Sequence, residues 1–214
     1  MKVRWLGHSC IEIIGRKHIL IDPDYRREPE PDLDFIFITH GHEDHLGRVA
    51  EIPKGAIFAS LDVCQVVRAQ GVPCSRLWAI KPGDEVEHVR VLQGYSTVGW
   101  LAELWARLWG RRHKSPGGTP LSFLIRDDLS LLHIGDGYKS PQGVQPDIFC
   151  LPWRRAPFWN QRFRRALIEL TESLSPKYVI PIHHDIPPWE ADPGELVGCV
   201  RAQVVLPAEW VEFT

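Results

Sequence analysis

The chain reads as a single α/β domain, and three observations predict this. Short apolar runs enriched in β-branched and aromatic residues recur in two groups, each followed by helical patterns. Side chains able to bind a metal stand where several of those runs end. At 214 residues and 44% hydrophobic content, the chain can bury one sizeable core and is short for two, so one domain over 1–214 is expected.

In chain order, strands are expected at 3–6, 11–14, 18–21 and 35–38, where Val, Ile, Leu and Phe dominate. A loop follows, with a short helix beginning after His45. Val63, Val66 and Val67 share one face of a helix predicted over 62–70, with Asp62 as its cap. Strands recur at 121–126, 130–133, 148–151 and 178–182, with a helix over 159–174 and another beginning after Pro193. Pattern alone admits several α/β arrangements of these pieces.

The most informative segment is Thr39-His40-Gly41-His42-Glu43-Asp44-His45-Leu46-Gly47, which places four metal-capable side chains within six residues. It follows a strand pattern, and Gly41 and Gly47 give it the permissive backbone of a loop. His40 and His42 stand two apart in an extended stretch, so their rings can point to one side and share a cation. Asp44 and His45 follow a turn and face a second position, so two adjacent metal sites are expected. A cation there lowers the pKa of a bound water from about 15.7 to about 7, which supplies hydroxide at neutral pH. Further on, the run 129–134 delivers Gly135-Asp136-Gly137 into a tight turn, and the run 178–182 ends at His183.

The H-x-H-x-D-H loop, together with Leu20-Ile21-Asp22-Pro23, Ile134-Gly135-Asp136-Gly137 and Ile180-Pro181-Ile182-His183, resembles the metallo-β-lactamase superfamily over nearly the whole chain. The opening Trp5-Leu6-Gly7-His8-Ser9-Cys10-Ile11-Glu12-Ile13 resembles the branch that contains ascorbate-6-phosphate lactonase and, more distantly, the phospholipase D acting on N-acyl-phosphatidylethanolamines. The resemblance implies an α/β (α+β) fold, a four-layer αββα sandwich of the metallo-β-lactamase type. It assigns His40 and His42 to a first metal, Asp44, His45 and His183 to a second, and Asp136 to both as a bridge. Asp22 matches a family aspartate that orients the loop and a ligand histidine, although it also reads as a turn former ahead of Pro23. His8 and His133 read as supports behind the ligands or as packed histidines, and Tyr95, His113 and His184 as linings of the substrate pocket.

One family element is absent. The histidine that should follow the strand beginning at Val89 is replaced by Gly94-Tyr95-Ser96, with Tyr95 or Ser96 nearest in position. A tyrosine phenol, with a pKa of about 10, is a poor ligand. His113 in the following loop and His88 ahead of the strand do not match by position. Weaker binding at the first site is expected, with one metal held tightly.

The reading that results is a metal-dependent hydrolase. A metal-bound hydroxide attacks an ester, lactone or phosphodiester, with Asp44 or Asp136 managing protons. Histidine and carboxylate ligands suit one or two zinc ions, and manganese or iron is tolerated. A rival is a metal-binding or ligand-sensing protein that has lost turnover with the absent histidine. A second rival, a membrane-peripheral phospholipase, draws on Trp100, Trp105 and Trp109, whose spacing fits a core helix or an amphipathic lid toward substrate, a second subunit in a homo-oligomer, or a membrane surface. The arginines and aromatics of 153–165 suit an anionic substrate or a solvated helix face.

The net charge of −2 supplies no global attraction to nucleic acid, so the partner expected is a small-molecule substrate. Five cysteines without metal-pair spacing read as buried free thiols. No signal-peptide core or membrane-length apolar run is present, and a cytoplasmic protein is expected.

Overall fold

The computed structural model describes residues 1–95, 117–139, 143–155 and 160–214. Along the chain run β1 (Lys2–Gly7), β2 (Cys10–Ile14), β3 (His18–Ile21), β4 (Phe35–Phe37), α1 (Glu43–Leu46), β5 (Ala56–Ala59), α2 (Leu61–Ala69), β6 (Leu77–Ala79), β7 (Glu85–Val86) and β8 (Val89–Gln93). After these come β9 (Leu121–Arg126), β10 (Ser130–His133), β11 (Ile148–Pro152), α3 (Asn160–Leu174), β12 (Tyr178–Ile182), β13 (Gln203–Val204) and β14 (Val211–Glu212).

The strands form two seven-stranded mixed sheets, ordered β14-β1-β2-β3-β4-β5-β6 and β13-β12-β11-β10-β9-β8-β7. Ile11, Ile13, Ile19, Ile21 and Phe37 of the first sheet meet Val91, Phe123, Ile125, Cys150 and Ile180 of the second in one buried layer. Alternate residues face outward. Leu20, Ile36 and Ile57 pack against Val63 and Val67 of α2, and Leu132, Phe149 and Val179 pack against Leu167 and Leu174 of α3. The result is the expected helix–sheet–sheet–helix sandwich. It explains why these strands read as unbroken apolar runs, since both faces of each are covered.

Topology decides where chemistry can gather. β3, β4 and β5 are mutually parallel, as are β10, β11 and β12, so the carboxyl ends of each set lie along one edge. Asp22, Thr39-His40, Gly135-Asp136 and His183 lie directly beyond the ends of β3, β4, β10 and β12. Loops at strand carboxyl ends are the usual ligand edge of parallel sheets. β2 runs antiparallel to β3, which brings the β1–β2 turn at His8-Ser9 to the same edge.

Several local expectations change. Strands β5, β6, β7, β13 and β14 lie outside the expected runs; each has two to four residues, too few for a period to show. α1 begins at Glu43 rather than after His45, so Asp44 and His45 share one helical turn. Ser60 occupies the cap position of α2. Asp62 lies within the first turn and accepts hydrogen bonds from the Val63 and Thr119 amides at 3.1 and 2.7 Å. The helix after Pro193 is a single 3-10 turn, Pro193–Leu196, capped by Asp192. Of the free cysteines, Cys10, Cys64 and Cys150 are buried, whereas Cys74 and Cys199 are exposed. Trp100, Trp105 and Trp109 lie outside the described residues, among which no helix is long and apolar enough to cross a membrane.

Glu12, fully buried in β2, is a carboxylate set into the first sheet away from the ligand edge. It accepts from Arg4 Nε, from His18 Nε2 at 2.7 Å and from the Glu30 amide at 2.8 Å. Removing one member of a buried ion pair strands the other without solvent. Glu12→Ala is therefore expected to cost about 3–5 kcal/mol in urea unfolding; a loss below about 1 kcal/mol would show that Arg4 finds solvent unaided.

Candidate metal centre

The candidate site is assembled by short backbone devices at the ends of buried strands. After β4 the chain stays extended through His42 (φ −71°, ψ 152°), which turns the His40 and His42 rings to one side with Nε2 and Nδ1 3.0 Å apart. His42 O then accepts from the His45 and Leu46 amides, and the single turn of α1 redirects Asp44 and His45. Asp22 (φ 50°) and His183 (φ 63°) adopt left-handed backbone immediately after their strands, as does His8 (φ 47°) in the β1–β2 turn. Non-glycine residues there carry strain, and such strain gathers at functional sites.

The six side chains singled out in the sequence come together in two groups that share Asp136. Asp44, His45, Asp136 and His183 form one; His40, His42 and Asp136 form the other. In each group one ligand-capable atom per residue lies within 4.8 Å of all the rest. Asp136 Oδ1 lies 2.8 Å from His183 Nε2 and 3.2 Å from His45 Nε2, while Oδ2 lies 3.9 Å from His40 Nε2. His183 Nε2 is 3.4 Å from Asp44 Oδ2.

Whether these residues fit a cation is decided by their protons. His45 Nδ1 lies 2.6 Å from Asp22 Oδ2, so it carries the proton that the carboxylate accepts and turns Nε2 toward the cluster, where a cation would replace its proton. That nitrogen faces His183 Nε2 at 3.1 Å. Two ring nitrogens on one tetrahedral ion, with bonds of about 2.0–2.1 Å, stand about 3.3 Å apart. The donor set is nitrogen and oxygen only and mostly buried, which fits a divalent cation such as zinc.

Electrostatics tell the same story from the proton's side. Burial opposes charge on His45, but Asp22, Asp136 and Asp44 together outweigh it and hold its pKa well above the ordinary value. Burial likewise opposes charge on Asp136, and His183 and His45 overcome that to hold its carboxyl well below the usual range. His40 is pushed down to about 3 by burial first and by His45 next. A cluster that holds protons this unevenly is one in which a cation competes with protons for the same atoms.

The remaining sequence candidates fall into place separately. Asp22 is fully buried and accepts from His45, the Thr39 amide at 2.7 Å and the Thr39 hydroxyl at 2.8 Å. His133 donates from Nε2 to Ser9 O at 2.9 Å and accepts the Gly135 amide at Nδ1, 3.2 Å away, so it braces the turn that carries Asp136. The His8 ring pairs with Asp24 and with Arg26 Nη2 at 3.0 Å, while its carbonyl accepts the His183 amide at 2.7 Å. His184 packs its ring on Trp5, with centroids 4.6 Å apart. His113 lies outside the described residues. His88 precedes β8 and so stands at the opposite end of that strand from Tyr95. Tyr95 places its carbonyl against Gly137 and lines an open depression of about 540 Å³ with Tyr138 and Lys139. Arg164 of α3 pairs with Glu195 and stacks over Trp153, so that arginine serves packing.

Sequence reading missed Thr39, Ser9, Asp24, Arg26, Asp185 and Gly117. Thr39 was visible as the residue before His40, yet nothing local signals its bond to Asp22. Arg26 binds Asp185 Oδ2 at 3.2 Å and Asp185 O at 2.8 Å, tying the loop after β3 to the loop after β12. A Cβ on Gly117 would stand 2.8 Å from His42 Nε2, so any larger residue there would have to shift that ring.

Comparison with known proteins gives the family and the fold. The model of the beta-lactamase superfamily domain matches residues 2–183, and the chain is a metal-dependent hydrolase of that superfamily. Within it the chain belongs to the UPF0173 metal-dependent hydrolases: it is 30% identical to the member from Pyrococcus furiosus, with 100% of both chains covered. It is also 28% identical to the member from Thermoplasma acidophilum, over 97% of this chain and 95% of the relative. Two solved structures share the fold. An isothiocyanate hydrolase from Delia radicum gut bacteria has a TM-score of 0.72 at 17% identity, covering 100% of this chain and 99% of its own. A possible metal-dependent hydrolase from Veillonella parvula has a TM-score of 0.71 at 14% identity with the same coverage.

Asp22→Asn keeps the shape of the side chain but removes the charge that fixes the His45 tautomer. It is expected to weaken metal affinity about 10–100-fold in chelator competition; unchanged affinity would remove Asp22 from the support of the centre.

Proposed function

We propose that His40, His42 and Asp136 hold one divalent cation, that Asp44, His45, Asp136 and His183 hold a second, and that the pair serves hydrolysis of an ester, lactone or phosphodiester. The observation that carries this is Asp136, whose two oxygens face different histidine groups. When bound, such cations acidify water and polarise the electrophile. The chain's own residues do the rest. Asp44, with 35% of its side chain exposed, is the acid–base group at the mouth, taking a proton from incoming water and returning it to the leaving group. Buried Asp136 holds the two groups in register. Zinc suits these ligands best, with manganese or iron as substitutes.

Two features support an anionic small-molecule substrate. Lys139 follows Asp136 by three residues, and its Nζ lies 6.0 Å from the Tyr95 ring at the depression beside Gly137. Residues 5–13 favour a lactone of the ascorbate-6-phosphate type within that class. The free cysteines, unpaired with one another, fit the reducing cytoplasm.

The test is a panel of lactones, phosphodiesters, esters and one isothiocyanate with protein reconstituted in zinc, manganese or iron. Hydrolysis of at least one class, abolished by chelation, is expected; two ions per chain with no turnover on any class would sink the reading. Asp44→Asn is expected to lower kcat by roughly 10²–10⁴-fold and to weaken binding of the second cation, read by elemental analysis beside turnover.

A ligand-sensing reading has one observation in its favour. Among the described residues no third histidine joins His40 and His42, and Tyr95 follows β8 where one belongs. Elemental analysis of Tyr95→His separates the two. A rise in both metal content and turnover marks a hydrolase with an impaired first site, and a rise in metal content alone marks a sensor.

A further inference from the structure

Thr39 stands where the two groups meet. Its hydroxyl oxygen lies 2.8 Å from Asp22 Oδ2, 3.1 Å from His40 Nδ1 and 3.2 Å from His45 Nδ1, and all four residues are buried. A hydroxyl has one proton to give and two lone pairs to receive with. The Asp22 carboxylate can only accept, and its contact is the shortest, so the hydroxyl proton goes there. His45 Nδ1 has its own closer acceptor, Asp22 Oδ2 at 2.6 Å. What remains is the contact to His40 Nδ1. It is a hydrogen bond only when the ring nitrogen donates, because the threonine proton is already committed.

We propose that Thr39 is a positioning residue for the first metal group: its hydroxyl relays the Asp22 carboxylate to His40 and fixes the tautomer whose bare Nε2 faces a divalent cation. This rests on the metal reading above and goes beyond it. With the proton on Nδ1, His40 presents Nε2 to His42 Nδ1 at 3.0 Å and to Asp136 Oδ2 at 3.9 Å. With the opposite tautomer, an N–H would point into the same space and exclude the ion. One buried carboxylate therefore orients a ligand in each group, directly through His45 and by relay through His40. The relay also touches the third loop, since a Cβ on Gly135 (φ +58°) would stand 2.9 Å from Thr39 Oγ1. Glycine there lets the Asp136 turn close onto the hydroxyl.

The experiment compares wild type with Thr39→Val, which keeps the branched shape without the hydroxyl, and Thr39→Ser, which keeps the hydroxyl. Each is titrated with zinc against a competing chelator, and cobalt absorption reports each ion's surroundings. Thr39→Val is expected to lose about 10–100-fold in affinity for one ion while holding the other, with Thr39→Ser close to wild type. A folded Thr39→Val protein that binds both ions as wild type does, or a Thr39→Ser protein as impaired as Thr39→Val, overturns the relay. Long-range proton–nitrogen correlation on metal-free wild type gives a reading that needs no variant: Nδ1-protonated His40 supports the relay and Nε2-protonated His40 overturns it. A wild-type chain that takes up no cation overturns the metal reading and this inference with it, whereas two ions with an indifferent Thr39→Val overturn only the inference.

Discussion

A single buried carboxylate, Asp22, underlies the geometry of the whole ligand edge. It is wholly excluded from solvent and would be costly there without partners. Burial opposes its ionisation, but His45 holds its pKa below the ordinary range, and the Thr39 amide and hydroxyl complete its hydrogen bonding. Each of those partners belongs to the histidine loop. The cost of burying Asp22 is thus offset only when that loop is in place, and the loop's shape follows from satisfying Asp22. Local strain at its own backbone and at His183 is tolerable because the surroundings determine both conformations.

The parallel strands convert that local constraint into a site. A parallel sheet collects the residues after its strands along one edge, and two such sheets packed face to face set two edges side by side. Asp22 and the histidine loop come from the first sheet, Asp136 and His183 from the second. Neither sheet alone contains either complete group. The same logic explains why the supporting contacts cross between loops: Arg26 reaches Asp185, the His183 amide reaches His8, and Gly41 bonds the carbonyl of Gly117.

Much of this was legible in the sequence because four of the six candidate ligands are nearly contiguous. His40, His42, Asp44 and His45 reveal themselves by spacing alone, whereas Asp136 and His183 were assigned by the resemblance to the metallo-β-lactamase superfamily, since a turn aspartate and a strand-end histidine alone read as ordinary residues. Long strands covered on both faces were also visible as apolar runs. β6 and β13 were not, because three- and two-residue edge strands are defined by partners rather than by pattern. α1 was misplaced because a four-residue helix nucleated by His42 has no period to read. Thr39, Asp24 and Asp185 escaped notice for a different reason: each acts through a partner distant in sequence, and no local arrangement of residue types signals it.

The placement of Asp136 and His183 opposite the histidine loop has a mechanical consequence. A cation held by groups from both halves of the sandwich is a cross-link, so its binding free energy is added to the cohesion of the two sheets. Ligand at a hundredfold excess over its dissociation constant contributes about 2.7 kcal/mol by mass action, a sizeable share of the roughly 5–15 kcal/mol that holds a typical domain folded. Metal supply would then govern how long the molecule survives as well as how fast it works, and starvation for the ion would expose the apolar seam along with silencing the chemistry.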